Sequence, residues 1–496
     1  MAAEVNEQLL DERLAELEKA RAWSPRLVSK LESHIRSADE EGLFRVNPFT
    51  FAREKNLKET EIIDLFLYAT SLGLFEMDWQ LLCQQCSCVV ESFGSLKGLH
   101  SQFHCNICQV DYEATLDDYI AVTFTVSRQI RDIAFHHPER LSASDYFRMG
   151  GTPDGVLPDG TRFIDFQAKV IKALGFLPPR ETTRFTIDME SEGMILGVSP
   201  EGKAALLYTV SGANAPGEQM VPVRFEHPVS THTTGNLAPG RITFAVENAT
   251  AERGSFFVAV LPPNFEFGHA PIKFLPFLTG KRLLTTQAFR DLFRSEVIRA
   301  SEGIGVKDIA LLFTDLKGST ALYDRLGDLN AFSLVQQHFE HLLAVTQRFN
   351  GAIIKTIGDA VMAAFLNPLD AVGAALAMRD AISSFNRARP DRELILKIGV
   401  HKGAAIAVTL NDRLDYFGQT VNIAARVQHL ADADEIYLSD SVHNAEGVRQ
   451  LLAPFEPETS IAQLKGVRQD MHVWRVAAPA VREGPPPLRP DEWKPE

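Results

Sequence analysis

Long apolar runs are absent from this chain of 496 residues. A membrane-spanning helix needs about 18 or more consecutive apolar residues, and no such stretch occurs. The N-terminus also lacks the basic start and the apolar segment of a secretory signal peptide. The sequence therefore predicts a cytoplasmic protein without membrane contact.

Basic residues are scarce relative to acidic ones. Lysine and arginine together number 50, and aspartate and glutamate number 64, which gives a formal net charge of -14. This acid excess argues against nucleic acid as a main partner. With 45% hydrophobic and 23% charged residues, the composition is that of a globular protein. Its length exceeds what one core supports, so we expect about two to four domains.

Cysteine is rare as well, and all five cysteines fall in one short segment. In a long chain without an export signal, this clustering indicates a metal site and not a disulfide framework. Two C-x2-C pairs predict a zinc ribbon over residues 81–112, since each pair supplies two soft ligands from one turn. The four predicted ligands are Cys83, Cys86, Cys105 and Cys108. Four thiolates leave no open position for substrate, which predicts a structural zinc ion.

Three more side chains of this segment could enter the zinc site. Cys88 could replace one of the four ligands, whereas His100 and His104 are weaker candidates. The alternative interpretation is a group of reduced structural cysteines without metal.

Apart from the cysteine segment, the sequence before residue 306 and after residue 476 predicts four further units. Residues 1–80 show helical patterns and then a short strand, which is typical of a helical, winged-helix-like module; its acid excess favours a protein-contact or structural role over DNA binding. Residues 113–278 predict a mainly β domain, most simply an antiparallel sandwich, that could bind an unknown regulatory ligand or protein. Residues 279–305 predict a linker helix with Thr286 as its N-cap, and residues 477–496 predict a disordered tail.

A carboxylate and a phosphate-binding turn follow one buried strand of the C-terminal part. The apolar run at residues 309–313 leads into Asp315, and a turn with Gly318, Ser319 and Thr320 then precedes a helical pattern. A carboxylate at a strand end can hold a cation, and amide groups at a helix N-terminus bind phosphate oxygens. This segment therefore predicts a metal–phosphate site.

A second carboxylate lies between two short apolar runs. Gly358 and Asp359 occupy the tip of the hairpin that these runs predict, and Asp359 could face Asp315 there. Two carboxylates can hold two divalent cations, Mg²⁺ or Mn²⁺, which activate a hydroxyl and neutralise a triphosphate. The alternative is an ordinary turn aspartate.

A polar pair marks a later helix. Residues 419–430 show a helical pattern, which places Asn422 and Arg426 four residues apart on one face. An amide and a guanidinium on a shared face can contact a ribose and a pentavalent phosphate together. The alternative for Arg426 is a surface salt bridge.

Four motifs of residues 306–476 together resemble those of the class III adenylate cyclases. They are FTDLKGST around Asp315, KTIGD from Lys355 to Asp359, GVHKG from Gly399 to Gly403, and DYFGQTVNIAAR from Asp415 to Arg426. The resemblance implies a ferredoxin-like α/β domain that works as a homodimer, with its active sites at the interface. The whole chain is then a multidomain α+β protein.

The resemblance also implies roles for single residues. Asp315 and Asp359 match the two metal-binding aspartates, and Leu316 matches a neighbour whose carbonyl also contacts metal. Lys355 and Asp415 match the two base-selecting positions. This agrees with adenine chemistry, because lysine can donate to N1 and aspartate can accept from the N6 amino group.

Asn422 and Arg426 match the pair that stabilises the transition state. The implied reaction is attack of the ATP ribose 3′-hydroxyl on the α-phosphorus, which forms 3′,5′-cyclic AMP and expels pyrophosphate. A further basic residue for the triphosphate could be Lys465 or Arg468, without a clear register. One alternative, a catalytically silent nucleotide-binding regulatory protein, is disfavoured by the intact catalytic positions. The other, a zinc-ribbon transcription factor, is disfavoured by the acidic N-terminal half.

Overall fold

The computed structural model describes residues 4–477 with several gaps. The gaps are residues 106, 109, 202–203, 227–230, 264, 266–271, 300, 388, 390–393 and 468–469. Arg468 and residues 478–496 of the tail predicted over 477–496 therefore lie outside the described residues. Within the described ranges, no helix combines the length and the apolar character needed to cross a membrane.

The N-terminal part consists of four helices followed by small β-sheets. The helices are α1 Glu7–Ala20, α2 Leu27–Ser37, α3 Pro48–Lys55 and α4 Glu59–Ser71, and the strands are β1 Phe75–Leu82, β2 Val89–Phe93, β3 Gln102–Cys105, β4 Val110–Glu113 and β5 Ile120–Val126. In α4, Ile62, Leu65 and Phe66 recur at helical spacing and are fully buried, which explains why this segment is a helix. Strands β2, β1 and β5 form one antiparallel sheet, and β3 and β4 form a separate hairpin.

Strand β5 lies in the N-terminal sheet, although the sequence predicts it within the β domain at residues 113–278. It pairs with β1 from Phe75↔Val126 to Leu81↔Ile120. All seven of its residues are buried, as expected for an apolar strand covered on both faces. The sheet therefore continues across the cysteine segment, and the sequence-predicted winged-helix-like module remains a prediction.

Two sheets pack face to face in the middle of the chain. They follow α5 Ala143–Met149, β6 Gly155–Val156 and α6 Phe163–Val170, and comprise β7 Ile171–Leu177, β8 Thr182–Met189, β9 Gly193–Ser199, β10 Ala204–Val210, β11 Gln219–Phe225, β12 Thr231–Leu237, β13 Gly240–Asn248 and β14 Gly254–Leu261. Their orders are β12-β10-β9-β14-β7 and β11-β13-β8. Phe185, Ile195, Phe244 and Phe256 belong to the core that they share.

The sandwich differs from the predicted antiparallel arrangement at two edges. Strand β12 runs parallel to β10, and β11 runs parallel to β13. The reason is that β11 lies in the other sheet, so the chain crosses between the sheets before β12 returns beside β10 in the same direction.

Two short helices precede the C-terminal domain, where the sequence predicts one linker helix. After β15 Lys273–Phe274, which pairs with β6, these are α7 Gly280–Leu284 and α8 Gln287–Leu292. The hydroxyls of Thr285 and Thr286 both donate to the Arg282 carbonyl, and such local bonds compete with continued helix. Thr286 is the N-cap residue of α8, as predicted, but its hydroxyl does not cap the helix.

The C-terminal domain is a mixed sheet with helices. Its elements are β16 Ile304–Leu316, α9 Ser319–Leu326, α10 Asp328–Arg348, β17 Gly351–Ile357, β18 Ala360–Phe365, α11 Pro368–Arg387, β19 Leu396–Leu410, β20 Arg413–Phe417, α12 Gln419–His429, β21 Ile436–Ser439, α13 Asp440–His443, α14 Val448–Leu452, β22 Glu458–Ala462 and β23 Met471–Val476. The elements β16, α10, β17, β18, α11 and β19 follow a βαββαβ order, with antiparallel neighbours in the order β17-β18-β16-β19. This is the ferredoxin-like arrangement.

The central strand β16 separates two cores. Ala310 and Leu312 belong to a core with residues of α10 and α11. Leu311 and Phe313, on the opposite face, belong to a core that continues into the N-terminal helices and sheet. Because side chains alternate along a strand, one apolar run serves both cores. The second face of the C-terminal sheet is therefore packed against the N-terminal module.

Candidate active site

Two carboxylates stand beside each other where β16 ends. Asp315 is the penultimate residue of β16, and Asp359 lies in the turn between β17 and β18. Gly358, with a φ of 64°, allows this tight turn without steric cost. The hydroxyl oxygen of Thr314 accepts a hydrogen bond from the Val361 amide at 3.2 Å, which fixes the hairpin against β16.

The surroundings of Asp315 disfavour the charged form of its carboxylate. Burial raises the pKa of Asp315 and the Asp359 carboxylate raises it further, whereas Lys397 and His429 lower it. The Oδ2 atom of Asp359 is buried and has no hydrogen-bond partner among the described residues. Two close carboxylates with an unpartnered oxygen are a donor set that fits divalent cations.

The predicted phosphate-binding turn connects β16 to α9. Leu316, the last residue of β16, is buried, whereas Gly318 is exposed and has a φ of 74° as the N-cap of α9. Ser319 and Thr320 are the first residues of this eight-residue helix. Amide groups in a first helical turn lack intrahelical partners, so these residues are available to an anion next to Asp315.

Lys355 and Asp415 form an ion pair. The Lys355 Nζ atom lies 2.5 Å from Asp415 Oδ2, although 60 residues separate the two in sequence. Strand β17 carries the lysine, whose side chain is 36% exposed, and β20 carries the aspartate, which is 9% exposed. The other aspartate oxygen, Oδ1, accepts a hydrogen bond from the Tyr416 amide at 2.8 Å. The fold therefore brings together the two residues that the resemblance assigns to base selection.

Asn422 and Arg426 lie one turn apart on α12, and the Asn422 side chain is exposed. The Arg426 guanidinium lies beside Gly466, where an added Cβ would stand 3.3 Å from Nη2. In the described part of the chain, no acidic residue forms an ion pair with Arg426, in contrast to the surface salt bridge considered as an alternative. Lys465, one of the two triphosphate candidates, is exposed and directly precedes Gly466.

The four predicted zinc ligands form one cluster. Their sulfur atoms lie within 4.8 Å of one another. The Cys83–Cys108 and Cys86–Cys105 sulfur distances are 3.8 and 3.7 Å. A tetrahedral zinc ion with bonds of about 2.3 Å has sulfur–sulfur edges of about 3.8 Å, so the cluster fits this ion. The Cys88 sulfur lies 3.2 Å from that of Cys86 and 3.6 Å from that of Cys105.

The two histidines of this segment have other contacts. His104 Nδ1 lies 2.9 Å from a carboxylate oxygen of Asp111, and His100 Nδ1 lies 3.4 Å from the Gly98 carbonyl. Among the described residues, the metal-type cluster contains cysteines alone.

Three residues beside the Lys355–Asp415 pair were missed by the sequence analysis. They are Gln287 and Arg290 on α8, and Tyr416 on β20. The available signal was weak: α8 places two polar residues three positions apart, next to the apolar Phe289. Such spacing is common on amphipathic helices and indicates no particular partner.

Comparison with known proteins divides the chain into two parts. Residues 10–291, more than half of the chain, match the family model described as "Family of unknown function (DUF5939)". Residues 304–477 match the "Adenylate and Guanylate cyclase catalytic domain".

Curated relatives match the C-terminal part. Putative adenylate cyclase 3 of Rhizobium meliloti is 28% identical over 199 residues, which cover 38% of this chain and 33% of that protein. Human atrial natriuretic peptide receptor 2 is 29% identical over 220 residues, or 42% of this chain and 20% of the receptor. A pH-sensitive adenylate cyclase of Mycobacterium tuberculosis is 28% identical over 208 residues, or 39% of this chain and 48% of that protein.

The matched segment thus spans less than half of each of these relatives. The resemblance inferred from the four motifs is confirmed by the catalytic-domain match. The chain belongs to the family of unknown function DUF5939, and its C-terminal part is an adenylate and guanylate cyclase catalytic domain of class III.

Proposed function

We propose that the chain is an adenylate cyclase that converts ATP into 3′,5′-cyclic AMP and pyrophosphate at the interface of a homodimer. The Lys355–Asp415 pair carries this proposal. Lysine donates and aspartate accepts, which is the complement of the adenine N1 and N6 groups. Guanine presents the reverse pattern at the corresponding edge, so the pair disfavours GTP. Relatives named as adenylate cyclases support the same choice.

The other site residues fit the remaining tasks of the reaction. Asp315 and Asp359 would hold two divalent cations, Mg²⁺ or Mn²⁺, together with the Leu316 carbonyl. When bound, these cations would activate the 3′-hydroxyl and neutralise the triphosphate. The first turn of α9 faces phosphate oxygens with its amides. Asn422 orients the ribose, and Arg426 stabilises negative charge that develops at the α-phosphorus.

Exposed apolar side chains support a homodimer. Ile357 ends strand β17, and Ile406 pairs with Phe417 across β19 and β20; these side chains are 52%, 42% and 62% exposed. Ile357 and Phe417 belong to the strands that carry the base-selecting pair, and Ile406 lies on the neighbouring strand β19. Exposed apolar residues grouped near a polar site are typical of a protein interface. A second copy of the catalytic domain would cover them.

Product analysis tests the reaction and the choice of base together. Purified protein with Mg²⁺ or Mn²⁺ is expected to form cyclic AMP from ATP and far less cyclic GMP from GTP. The double variant Lys355→Glu/Asp415→Cys is expected to lose up to about 10⁴-fold in ATP turnover, because both groups that face the base are inverted or removed.

A matched ion pair provides the control. Lys307 and Asp118 pair away from the site, and Lys307→Glu/Asp118→Cys is expected to keep the wild-type preference for ATP. Unchanged ATP and GTP rates in the Lys355/Asp415 variant would show that this pair does not select the base. Absence of any cyclic nucleotide from the wild type would instead support the catalytically silent alternative.

We further propose a structural zinc ion at Cys83, Cys86, Cys105 and Cys108. Elemental analysis is expected to find one zinc per chain. Cys105→Ser is expected to lose the metal and to lower the melting temperature of the N-terminal part by about 10 °C, since metal binding contributes folding free energy. Cys88→Ser, as the matched variant, is expected to retain the metal. Freshly purified protein without zinc would contradict this assignment.

A further inference from the structure

Helix α8 contacts both strands that carry the base-selecting pair. On β17, the Ile353 amide donates a hydrogen bond to Gln287 Oε1 at 2.8 Å. On β20, the Leu414 carbonyl accepts one from Arg290 Nη1 at 2.9 Å. These contacts lie two residues before Lys355 and one residue before Asp415. The two strands are therefore bridged by one helix of the segment that precedes the catalytic domain.

The surroundings of Arg290 add an electrostatic link to the same site. The guanidinium carbon lies 5.9 Å from the centroid of the buried Tyr416 ring, and Nε donates to the Leu284 carbonyl at 2.9 Å. Burial lowers the pKa of Arg290, and the nearby Tyr416 and Asp415 raise it again. A buried cation is stable only beside compensating groups, and for Arg290 these are Tyr416 and the Asp415 carboxylate.

Helix α8 is also fixed to the N-terminal sheet. Phe289, which is fully buried, meets Trp79 of β1 edge-to-face with ring centroids 6.0 Å apart. Four residues after α8, the Glu296 carboxylate accepts a hydrogen bond from the Leu96 amide at 2.7 Å. Strand β1 leads directly into the cysteine cluster at Cys83. A displacement of the N-terminal module would therefore move α8 relative to the catalytic strands.

We propose that Gln287 and Arg290 are positioning residues of the base site, through which the N-terminal module sets the affinity for the nucleotide base. This inference rests on the proposed role of Lys355 and Asp415. Their two hydrogen-bonding groups read adenine only at the correct separation, and α8 fixes that separation. Loss of a bridge weakens base binding in the ground state and the transition state alike, which raises KM more than it lowers kcat.

The test measures binding of nucleotides that cannot react. Full-length protein is titrated with 3′-deoxy-ATP and 3′-deoxy-GTP, which lack the attacking hydroxyl, and KM and kcat are measured with ATP. Arg290→Met is expected to weaken 3′-deoxy-ATP binding by about tenfold, the value of one hydrogen bond from a charged group. Binding of 3′-deoxy-GTP changes less, so the preference for the adenine nucleotide falls.

Conservative variants separate positioning from folding. Arg290→Lys retains a charged donor and Gln287→Glu retains an acceptor for the Ile353 amide, so both are expected to recover part of the preference. Gln287→Met is expected to lose it without disturbing the Arg290 contacts. Arg299→Met, at an exposed arginine of the same segment, provides the matched control and should bind as the wild type does.

The outcomes of this titration distinguish the two proposals. Wild-type protein that binds the two analogues equally would contradict ATP as the substrate. A wild-type preference for the adenine analogue that persists in folded Arg290→Met and Gln287→Met proteins would overturn the positioning role. If Arg290→Met does not fold, the Gln287 variants decide the question alone.

Discussion

An Asp359→Asn protein is expected to lose at least about a hundredfold in cyclase turnover, the lower range for removing one group that stabilises charge in a transition state. The same loss is expected for Asp315→Asn. Both substitutions preserve shape and remove a charge that no ion pair compensates in the described structure. Turnover of ATP with Mg²⁺ or Mn²⁺, measured by product formation, checks this expectation.

Melting curves show whether the lost activity reflects lost metal binding. Burial and Asp359 both raise the pKa of Asp315, which means that its charged form is disfavoured in the metal-free fold. Asp315→Asn should therefore not lower the melting temperature without metal. Added Mn²⁺ should raise the melting temperature of the wild type and have little effect on the variant, because a ligand stabilises only the state that binds it.

A second hairpin of the same domain contains a turn aspartate for which no catalytic role is proposed. This residue provides the control. Asp412 lies with Asn411 in the turn between β19 and β20, is exposed, and has a φ of 58°. Asp412→Asn should keep wild-type activity, since asparagine tolerates this conformation. Retention of most activity in Asp315→Asn or Asp359→Asn as well would contradict the two-metal assignment.

Two inactive proteins are expected to restore activity when mixed. The resemblance to class III adenylate cyclases implies a homodimer in which Asp315 and Asp359 of one subunit face Asn422 and Arg426 of the other. In a mixed dimer of Asp315→Asn and Arg426→Ala chains, one site then carries both defects and the other carries neither. Random pairing makes half of the dimers mixed, each with one intact site, so recovery reaches at most about a quarter of wild-type activity.

The matched control for this experiment is a mixture whose defects lie on the same side of the interface. Asp315→Asn mixed with Asp359→Asn should stay inactive, because every site of a mixed dimer still lacks one metal carboxylate. Size-exclusion chromatography of differently tagged chains verifies that subunits exchange. If exchange occurs and the Asp315→Asn/Arg426→Ala mixture remains inactive, the catalytic residues act within one chain and the proposed interface is wrong.

Local chemistry made the catalytic domain predictable. The strand before Asp315, the Gly358 turn and the helix that carries Asn422 and Arg426 are each encoded by neighbouring residues, and the structure has these elements at the expected places. Helix α4 occupies Glu59–Ser71 for the same reason, since its apolar stripe has helical spacing. The C-x2-C pairs likewise placed four sulfur atoms in one cluster from spacing alone.

These local patterns could not predict which strands pair when they are far apart in the sequence. The apolar strand at Ile120–Val126 could have joined either neighbouring domain, because a buried run does not specify its partner. Only its pairing with β1 places it in the N-terminal sheet. The break between α7 and α8 was missed because threonine hydroxyls that bond to backbone carbonyls leave no distinct periodic signal.

The sequence by itself determined the chemistry of this protein: its cysteine cluster, its carboxylates and the family of its catalytic domain all follow from residue types at short spacing. The tertiary structure alone decided that helix α8, which precedes the C-terminal domain, contacts the strands of the Lys355–Asp415 pair. The hydrogen bonds from α8 to β17 and β20, the strands of the Lys355–Asp415 pair, span 66 and 124 residues. A sequence pattern extends over one or two turns of local structure, whereas such contacts depend on how separately folded segments pack together.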